Sequence, residues 1–438
     1  MTLQELTKKK IGFISLGCDK NRVDLEKIIY SFKSAGFSIT PNYEDANIII
    51  INTCSFILDA RKESIDSILE IIPLKQLNLE KIVVTGCLNN MNYSDLADSL
   101  PEVDLFVKVE DNKNIVRMVS DLYNVKYEFT SRVKELDRIL TTPNHYAYLK
   151  IADGCDNFCT YCTIPYIRGR FKSEPIEKII KEATHLVDNG VSEIILVAQD
   201  VTKYGSDIYG KPSLVTLLQQ MEKIKKLKWI RLLYCYPDLI TDELIDEMAR
   251  NKKVCHYIDI PLQHVSDPVL KLMNRRTNNF QICSIIEKFR KKIPDISIRT
   301  TFILGFPNES DNNFMELCGF VEKYKLDNVG FFKYSKEEGT PASKLLNQIP
   351  QKVKSDRLRI LSNIQYQIIK EKHKSQIGQI FDCVVDEIVD GWAICHSDKL
   401  CPTVDSVVYV NSDKLNIGDY IKVKILKIRK YDYIGERV

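Results

Sequence analysis

Residues 146–162 read YAYLKIADGCDNFCTYC. An apolar run, Tyr146 to Ile151, ends in a Gly-Cys turn and opens into a loop with cysteines at 155, 159 and 162. Five more apolar runs follow: SEIILVAQD (192–200), WIRLLYCYP (229–237), HYIDIPLQH (256–264), SIRTTFILGFP (297–307) and NVGFFKYS (328–335). Between them lie stretches of helical period at 175–189, 213–227, 241–251, 267–273, 280–291 and 311–325. Six strand–helix units in series predict parallel strands in a barrel or part-barrel, with a working face built from the loops after the strands. The cysteine loop is the first of those loops.

Upstream, residues 11–110 repeat the strand–helix alternation on a different plan. KIGFISLG (10–17), ANIIIINT (46–53), KIVVTG (81–86) and VDLFVKV (103–109) are strand-like runs. Helical patterns over 23–32 and 57–72 follow the first two. Unbroken apolar strands alternating with helices predict an open parallel sheet covered on both faces. Residues 111–143 read as a helix and a polar connector, and 352–373 as one more helix. From 375 the chain changes to short β-rich runs separated by turn residues, which predicts a small all-β barrel of the oligonucleotide-binding type. The domains expected are therefore 1–125, 126–374 and 375–438.

The chain has 438 residues, 44% of them apolar, enough for several cores. Its formal charge of +3 excludes a polybasic tail protein and an acidic disordered one. No apolar run approaches a membrane span, and the N-terminus lacks signal-peptide order, so a cytoplasmic protein is expected. In that compartment thirteen cysteines read as metal ligands or reactive thiols rather than a disulfide framework.

Six of the thirteen fall into two sets. Cys155, Cys159 and Cys162, spaced C-x3-C-x2-C, suit three corners of a 4Fe–4S cube with one iron left open. Structural zinc wants four protein ligands, so it fits less well, although a zinc knuckle completed from elsewhere in the chain remains an alternative. Cys18, Cys54 and Cys87 are 36 and 33 residues apart, about one strand–helix unit each, and each closes an apolar run. Three strand ends in phase can meet at one edge of a parallel sheet. Gly17 and Gly86, just before two of them, would let backbone approach closely. A lone cysteine at a strand end is ordinarily a buried thiol; three in phase favour a shared site, again best matched by an open-cornered cluster. The other seven cysteines share no phase, and nothing completes a zinc set around Cys395, His396 and Cys401.

The C-x3-C-x-aromatic-C loop, with Tyr161 as the aromatic, resembles that of the radical S-adenosylmethionine superfamily. The resemblance implies that the cofactor's amino and carboxylate groups chelate the open iron. Electron transfer then yields a 5′-deoxyadenosyl radical, which removes a substrate hydrogen. It also implies cofactor contacts at Tyr161, Gln199, Gln263, Arg299 and Gly305, with Asp200 and His264 beside them. Asn308-Glu309-Ser310 stands where the superfamily commonly has Gly-Glu-Thr. From Ile11 to Val438 the order of parts resembles the methylthiotransferase family: a three-cysteine domain, a radical barrel and a C-terminal TRAM barrel.

That family resemblance implies two 4Fe–4S clusters on the six cysteines. S-adenosylmethionine would act as both methyl donor and radical source, and the product would be C–SCH3 in place of C–H. Two branches compete, one acting on a tRNA adenosine and one on an aspartate β-carbon of small-subunit ribosomal protein twelve. SLGCDKNRVDLE (15–26), AQDVTKYGSD (198–207), FFKYSKEEGTPA (331–342) and CPTVDSVVYV (401–410) resemble the second, with Asp19 and Arg22 as departures. Its partners would be that protein, free or in the subunit, a cellular electron donor, and RNA touched through the TRAM barrel, with no membrane. Residues 375–438 hold eight basic and ten acidic residues, which favours a basic protein partner over RNA. Against this, Lys422, Lys424, Lys427, Arg429 and Lys430 share one stretch, with Lys422 and Lys424 on one strand face.

Overall fold

The structure is a computed structural model and describes residues 1–90, 96–127 and 137–438. It forms two compact units. The first comprises Met1–Thr141, Asp153–Asp156 and Cys162–Phe171; the second comprises Thr142–Ala152, Asn157–Tyr161 and Lys172–Val438.

In the first unit, five parallel strands run in the order Ser38–Ile39, Lys10–Ser15, Ile48–Thr53, Lys81–Gly86, Leu105–Phe106. The four isoleucines at 48–51 are all fully buried. Alternation along the strands explains how. Ile48, Ile50 and Val83 face a layer with Leu25, Ile28 and Phe32 of helix Asp19–Ser34 and with Ile115 and Val119. Ile49, Ile51, Ile82 and Val84 face Ile68 and Ile71 of helix Leu58–Ile71. A sheet apolar on both faces needs helices on both sides, as the sequence predicted. The run at 103–109 pairs only at Leu105 and Phe106, on the sheet's edge. Of the connector, residues 128–136 lie outside the described residues.

In the second unit, six parallel strands stand side by side in chain order: Tyr146–Lys150, Glu193–Val197, Trp229–Leu232, Val254–Asp259, Ser297–Leu304 and Asn328–Lys333. Every helical stretch expected between them is present, from Ile176–Asp188 to Asp311–Tyr324. Helix Gln351–Gln376 leads to a closed barrel whose five strands are Ile380–Val389, Trp392–Ser397, Val408–Asn411, Tyr420–Arg429 and Asp432–Arg437. Phe381, Cys383, Val385, Cys395, Val408, Val423 and Tyr433 fill it. Cys395 is thus a core residue rather than a metal ligand.

A buried ionic seam fastens this barrel to the six-stranded sheet. Glu193, the first residue of its strand, takes Arg231 Nε at 2.7 Å and His396 Nε2 at 2.6 Å. Arg231 also donates to the carbonyls of Ser397 and Asp398, both at 3.0 Å. On its other nitrogen His396 meets Asp386 at 2.8 Å, and His145 reaches the same carboxylate at 2.8 Å. Among the described residues, no helix is long and apolar enough to cross a membrane.

Candidate active site

The strand order places a reversal of direction between Lys10–Ser15 and Ile48–Thr53. In open parallel sheets the crevice beyond the strand ends at such a reversal is where ligands bind. Cys18 and Cys54 follow these two strands, and Cys87 follows the next. Cys18 is the residue capping helix Asp19–Ser34, Cys54 is buried, and buried Cys87 opens a short helix, Cys87–Asn90. Cys54 and Cys87 respond to the charge at Cys18, and Cys54 also to that at Cys87. Burial pushes the Cys54 thiol up to about 11, with Cys87 and Cys18 adding to the rise. Burial also raises Cys87, against the pull of the Arg168 guanidinium.

Both glycines are required. Gly17 sits at φ +89°, where a Cβ would lie 2.8 Å from Cys54 Cβ and 3.0 Å from its sulfur. At Gly86, φ +95°, a Cβ would lie 2.4 Å from the Thr53 carbonyl oxygen. Asn21 ties the strand ends together. Its amide donates to the carbonyls of Leu16 at 3.2 Å and Thr53 at 2.9 Å, and its oxygen accepts from Cys87 Sγ at 3.5 Å and from Arg168. Arg168 is in turn held by Asp24 at 2.7 Å and Asp153 at 3.1 Å. Ser64 Oγ accepts from the Cys54 N–H at 3.0 Å and lies 2.8 Å from its carbonyl. Ligands of one tetrahedral zinc stand roughly 3.8 Å apart. The one His/Cys/Asp/Glu set found within 4.8 Å, among the described residues, is the seam's His145, Asp386 and His396, not these thiols. A wider, electrostatically coupled triangle of thiols suits a cluster better than a single ion.

The second cysteine set lies on the loop after Tyr146–Lys150. In the first unit the Cys155 N–H donates to Gly169 O at 3.1 Å, and the Ile164 N–H points at Cys162 Sγ, 3.4 Å away. In the second unit the middle of the loop is clamped. Asn274 donates to the carbonyls of Asn157 and Phe158 at 3.2 and 2.9 Å. Thr160 N–H donates to Met273 O at 3.1 Å, and the Ala342 N–H donates back to Thr160 O at 2.8 Å. Fully buried Asp200 takes Asn157 Nδ2 at 2.8 Å and Thr202 Oγ1 at 2.6 Å, so it positions this loop. Cys159 Sγ lies 2.8 Å from Tyr236 Oη and 3.9 Å from Arg275 Nη1. Burial raises the Tyr236 hydroxyl far above its usual range, which keeps it an O–H donor.

Of the expected cofactor contacts, Tyr161 packs edge-on to Phe306, its ring centroid 6.4 Å away. Gln199 follows the second strand. Gln263, at φ +70°, bridges to Phe302 beside Ser297–Leu304. Gly305 ends that strand, and Glu309 accepts from the N–H groups of Gly305 and Phe306 at 2.7 and 3.0 Å while Arg357 holds its other oxygen at 2.7 Å. Asn308 takes φ +66°, a left-handed value that Asn tolerates, so it serves where the superfamily has Gly. His264 is buried and its pKa falls to about 3, through burial and then Arg357, so the imidazole is neutral. Arg299 Nε lies 3.6 Å from Asp405 of the C-terminal barrel. That contact ties it to the C-terminal barrel. Asn21, Arg168, Tyr236 and Arg275 were not read from the sequence as site residues; only Asn21 had a signal, inside SLGCDKN.

Comparison with known proteins agrees with this layout. The chain matches the radical SAM superfamily over residues 149–321, the uncharacterized protein family UPF0004 over 10–108 and the TRAM domain over 377–438. It is 47% identical to the ribosomal protein uS12 methylthiotransferase RimO of Clostridium tetani and 46% identical to that of Clostridium botulinum strain Eklund 17B, each over 98% of both chains. Among solved structures it resembles the radical S-adenosylmethionine methyltransferase TsrM of Kitasatospora setae, with a TM-score of 0.55 at 12% identity, covering 88% of this chain and 80% of that one. It also resembles the cobalamin-dependent radical enzyme OxsB, with a TM-score of 0.52 at 13% identity, covering 83% and 58%. At such identities these two likenesses speak for the fold alone. The superfamily match carries S-adenosylmethionine and one 4Fe–4S cluster with it.

Proposed function

The chain belongs to the RimO family of ribosomal protein uS12 methylthiotransferases, and from that premise we propose that it converts a C–H bond to C–SCH3 at the β-carbon of an aspartate in uS12. Cys155, Cys159 and Cys162 hold one 4Fe–4S cluster, and Cys18, Cys54 and Cys87 hold a second. When bound, the first cluster with S-adenosylmethionine supplies a carbon-centred radical, and the second carries the sulfur to be transferred.

The chain's own residues do the positioning. Asp200, Asn274 and the backbone of Met273 and Ala342 fix the middle of the cysteine loop, so Cys159 is presented without a search through loop conformers. Glu309, locked by Arg357, fixes the turn at Gly305–Phe306, and with Tyr161, Gln199 and Gln263 this turn makes up the cofactor's bed. Asn21 and Arg168 hold three strand ends in register, so the thiols of Cys18, Cys54 and Cys87 form one site.

The observation that carries the reading is the gathering of those three thiols at the sheet's reversal point. A second cluster is what separates sulfur insertion from other radical chemistry. Three domains follow, at 1–125, 126–374 and 375–438, in a cytoplasmic enzyme served by a cellular electron donor. An RNA contact through the TRAM barrel is favoured by Lys424, Lys427 and Arg429, which lie exposed along Tyr420–Arg429. The test is mass spectrometry of uS12 from cells with and without the gene. A methylthio increment on an aspartate that disappears with the gene supports the reading. Unchanged uS12, with a methylthio group lost from tRNA instead, overturns it.

A further inference from the structure

The buried arginines differ in one respect. Arg231 has Glu193 at 2.7 Å, Arg357 has Glu309 at 2.7 Å, Arg168 has Asp24 at 2.7 Å and Arg138 has Glu26 at 3.1 Å. Arg275 is 7% exposed, and among the described residues no carboxylate lies within ion-pair distance of it, although the Asp238 charge acts on it from farther away. Its Nη2 donates to the Pro261 carbonyl at 2.5 Å, and its guanidinium lies 3.7 Å over the Tyr236 ring. Its Nη1 faces Cys159 Sγ at 3.9 Å, and its Nε is buried without a partner. The Tyr236 hydroxyl meets the same sulfur at 2.8 Å.

A buried charge without a close partner is unfavourable, so an anion set directly against the Arg275 guanidinium would be favoured. A 4Fe–4S core carrying three thiolates is such an anion, and reduction adds one more negative charge. A fixed cation and a hydrogen bond to a ligand sulfur both favour the more negative form.

We propose that Arg275 and Tyr236 are positioning residues that act through Cys159, as the counter-charge and the hydrogen-bond donor that raise the reduction potential of the loop cluster. This rests on the proposed cluster at Cys155, Cys159 and Cys162. With the cluster bound, the pair would set how readily it accepts an electron from a cellular donor.

The test uses the full chain with Cys18, Cys54 and Cys87 changed to Ala, reconstituted anaerobically, so that only the loop cluster contributes. The reduced cluster is followed by electron paramagnetic resonance against applied potential, with Arg275→Met, Arg275→Lys and Tyr236→Phe beside the parent. At a fixed potential Arg275→Met should lower the reduced-to-oxidised ratio at least tenfold, a downward shift of about 59 mV for a one-electron couple. Tyr236→Phe should lower it in the same direction by less, and Arg275→Lys should recover most of the loss. If Arg275→Met takes up no iron, Tyr236→Phe decides. A loaded cluster whose ratio stays within twofold of the parent in Tyr236→Phe, and in Arg275→Met where that loads, overturns the inference. A parent that forms no 4Fe–4S cluster overturns the underlying reading instead.

Discussion

His396→Gln tests the seam that holds the C-terminal barrel to the six-stranded sheet. Burial alone would lower the His396 pKa. The Glu193 charge and the hydrogen bonds to Asp386 and Glu193 more than offset this and raise it from 6.5 to about 9. The folded chain therefore holds a proton on His396 that the unfolded chain releases between those values. Stability from this group is fully present below pH 6.5 and is lost as pH rises through about 9. The slope is about 1.4 kcal/mol per pH unit, so the loss over that window is on the order of 3 kcal/mol. Glu193, for which burial is outweighed by Arg231 and His396, is held down at about 2, so its contribution is lost only as pH falls through that value. It reports the same contacts and is not added. In His396→Gln, Arg231 still answers Glu193 and His145 still answers Asp386, so the loss is confined to one ion. The chain's two tryptophans make the assay local. Trp229 lies 5.8 Å from the His396 ring and 5.0 Å from Tyr420, and Trp392 begins the strand that carries His396. Urea unfolding followed by tryptophan fluorescence should show the parent more stable by about 3 kcal/mol at pH 6.5, the gap closing by pH 9.5. A gap constant within about 0.5 kcal/mol across that range would refute the assignment of a charged histidine to the seam.

Other outcomes follow from the cysteine sites. Cys54→Ala should lose about four irons per chain by iron analysis while keeping some S-adenosylmethionine cleavage, and retained methylthiolation of uS12 would count against the three-thiol site. Cys159→Ala should lose both cofactor cleavage and product by chromatography of the reaction mixture. Gly17→Ala forces a Cβ to within 2.8 Å of Cys54 Cβ at φ +89°, a strain of about 1–3 kcal/mol, and should lower N-terminal iron content with the loop cluster's signal retained. Arg168→Met strips Asp24 and Asp153 of a buried partner and should cost about 3–5 kcal/mol in the urea midpoint of the first unit.

What the sequence revealed was periodic or closely spaced. The strands from Tyr146 to Lys333 announce themselves by apolar runs at intervals. Cys18, Cys54 and Cys87 were legible because each repeats the same place in a strand–helix unit. What it concealed are polar contacts without period. Tyr236 is 77 residues from Cys159, and Arg275 is 116 away. Neither separation reflects any repeat. The Asp405 partner of Arg299 was hidden for the same reason. The strand of Arg299 ends at the expected cofactor turn, but Asp405 is supplied by a different fold 106 residues later. Asn308 shows the reverse case, where the departure from Gly is harmless because a short polar side chain also tolerates the left-handed region.

The net charge of the C-terminal barrel does not describe its surface. Eight basic against ten acidic residues in 375–438 suggested an acidic barrel surface suited to a basic protein. Three of the ten acids are turned inward: Asp386 between His145 and His396, Asp405 against Arg299, and Asp398, raised by burial, beside Arg231. The eight basic residues then outnumber the remaining seven acidic ones. On the barrel's outer strand Asp382 offsets Lys422 at 2.9 Å and leaves Lys424, Lys427 and Arg429 exposed. Net charge counts what a domain contains and not what it presents. Three of the barrel's acids help fasten it to the sheet, and its outward balance does not disfavour RNA. The preference for uS12 therefore rests on family membership, and barrel charge gives it no independent support.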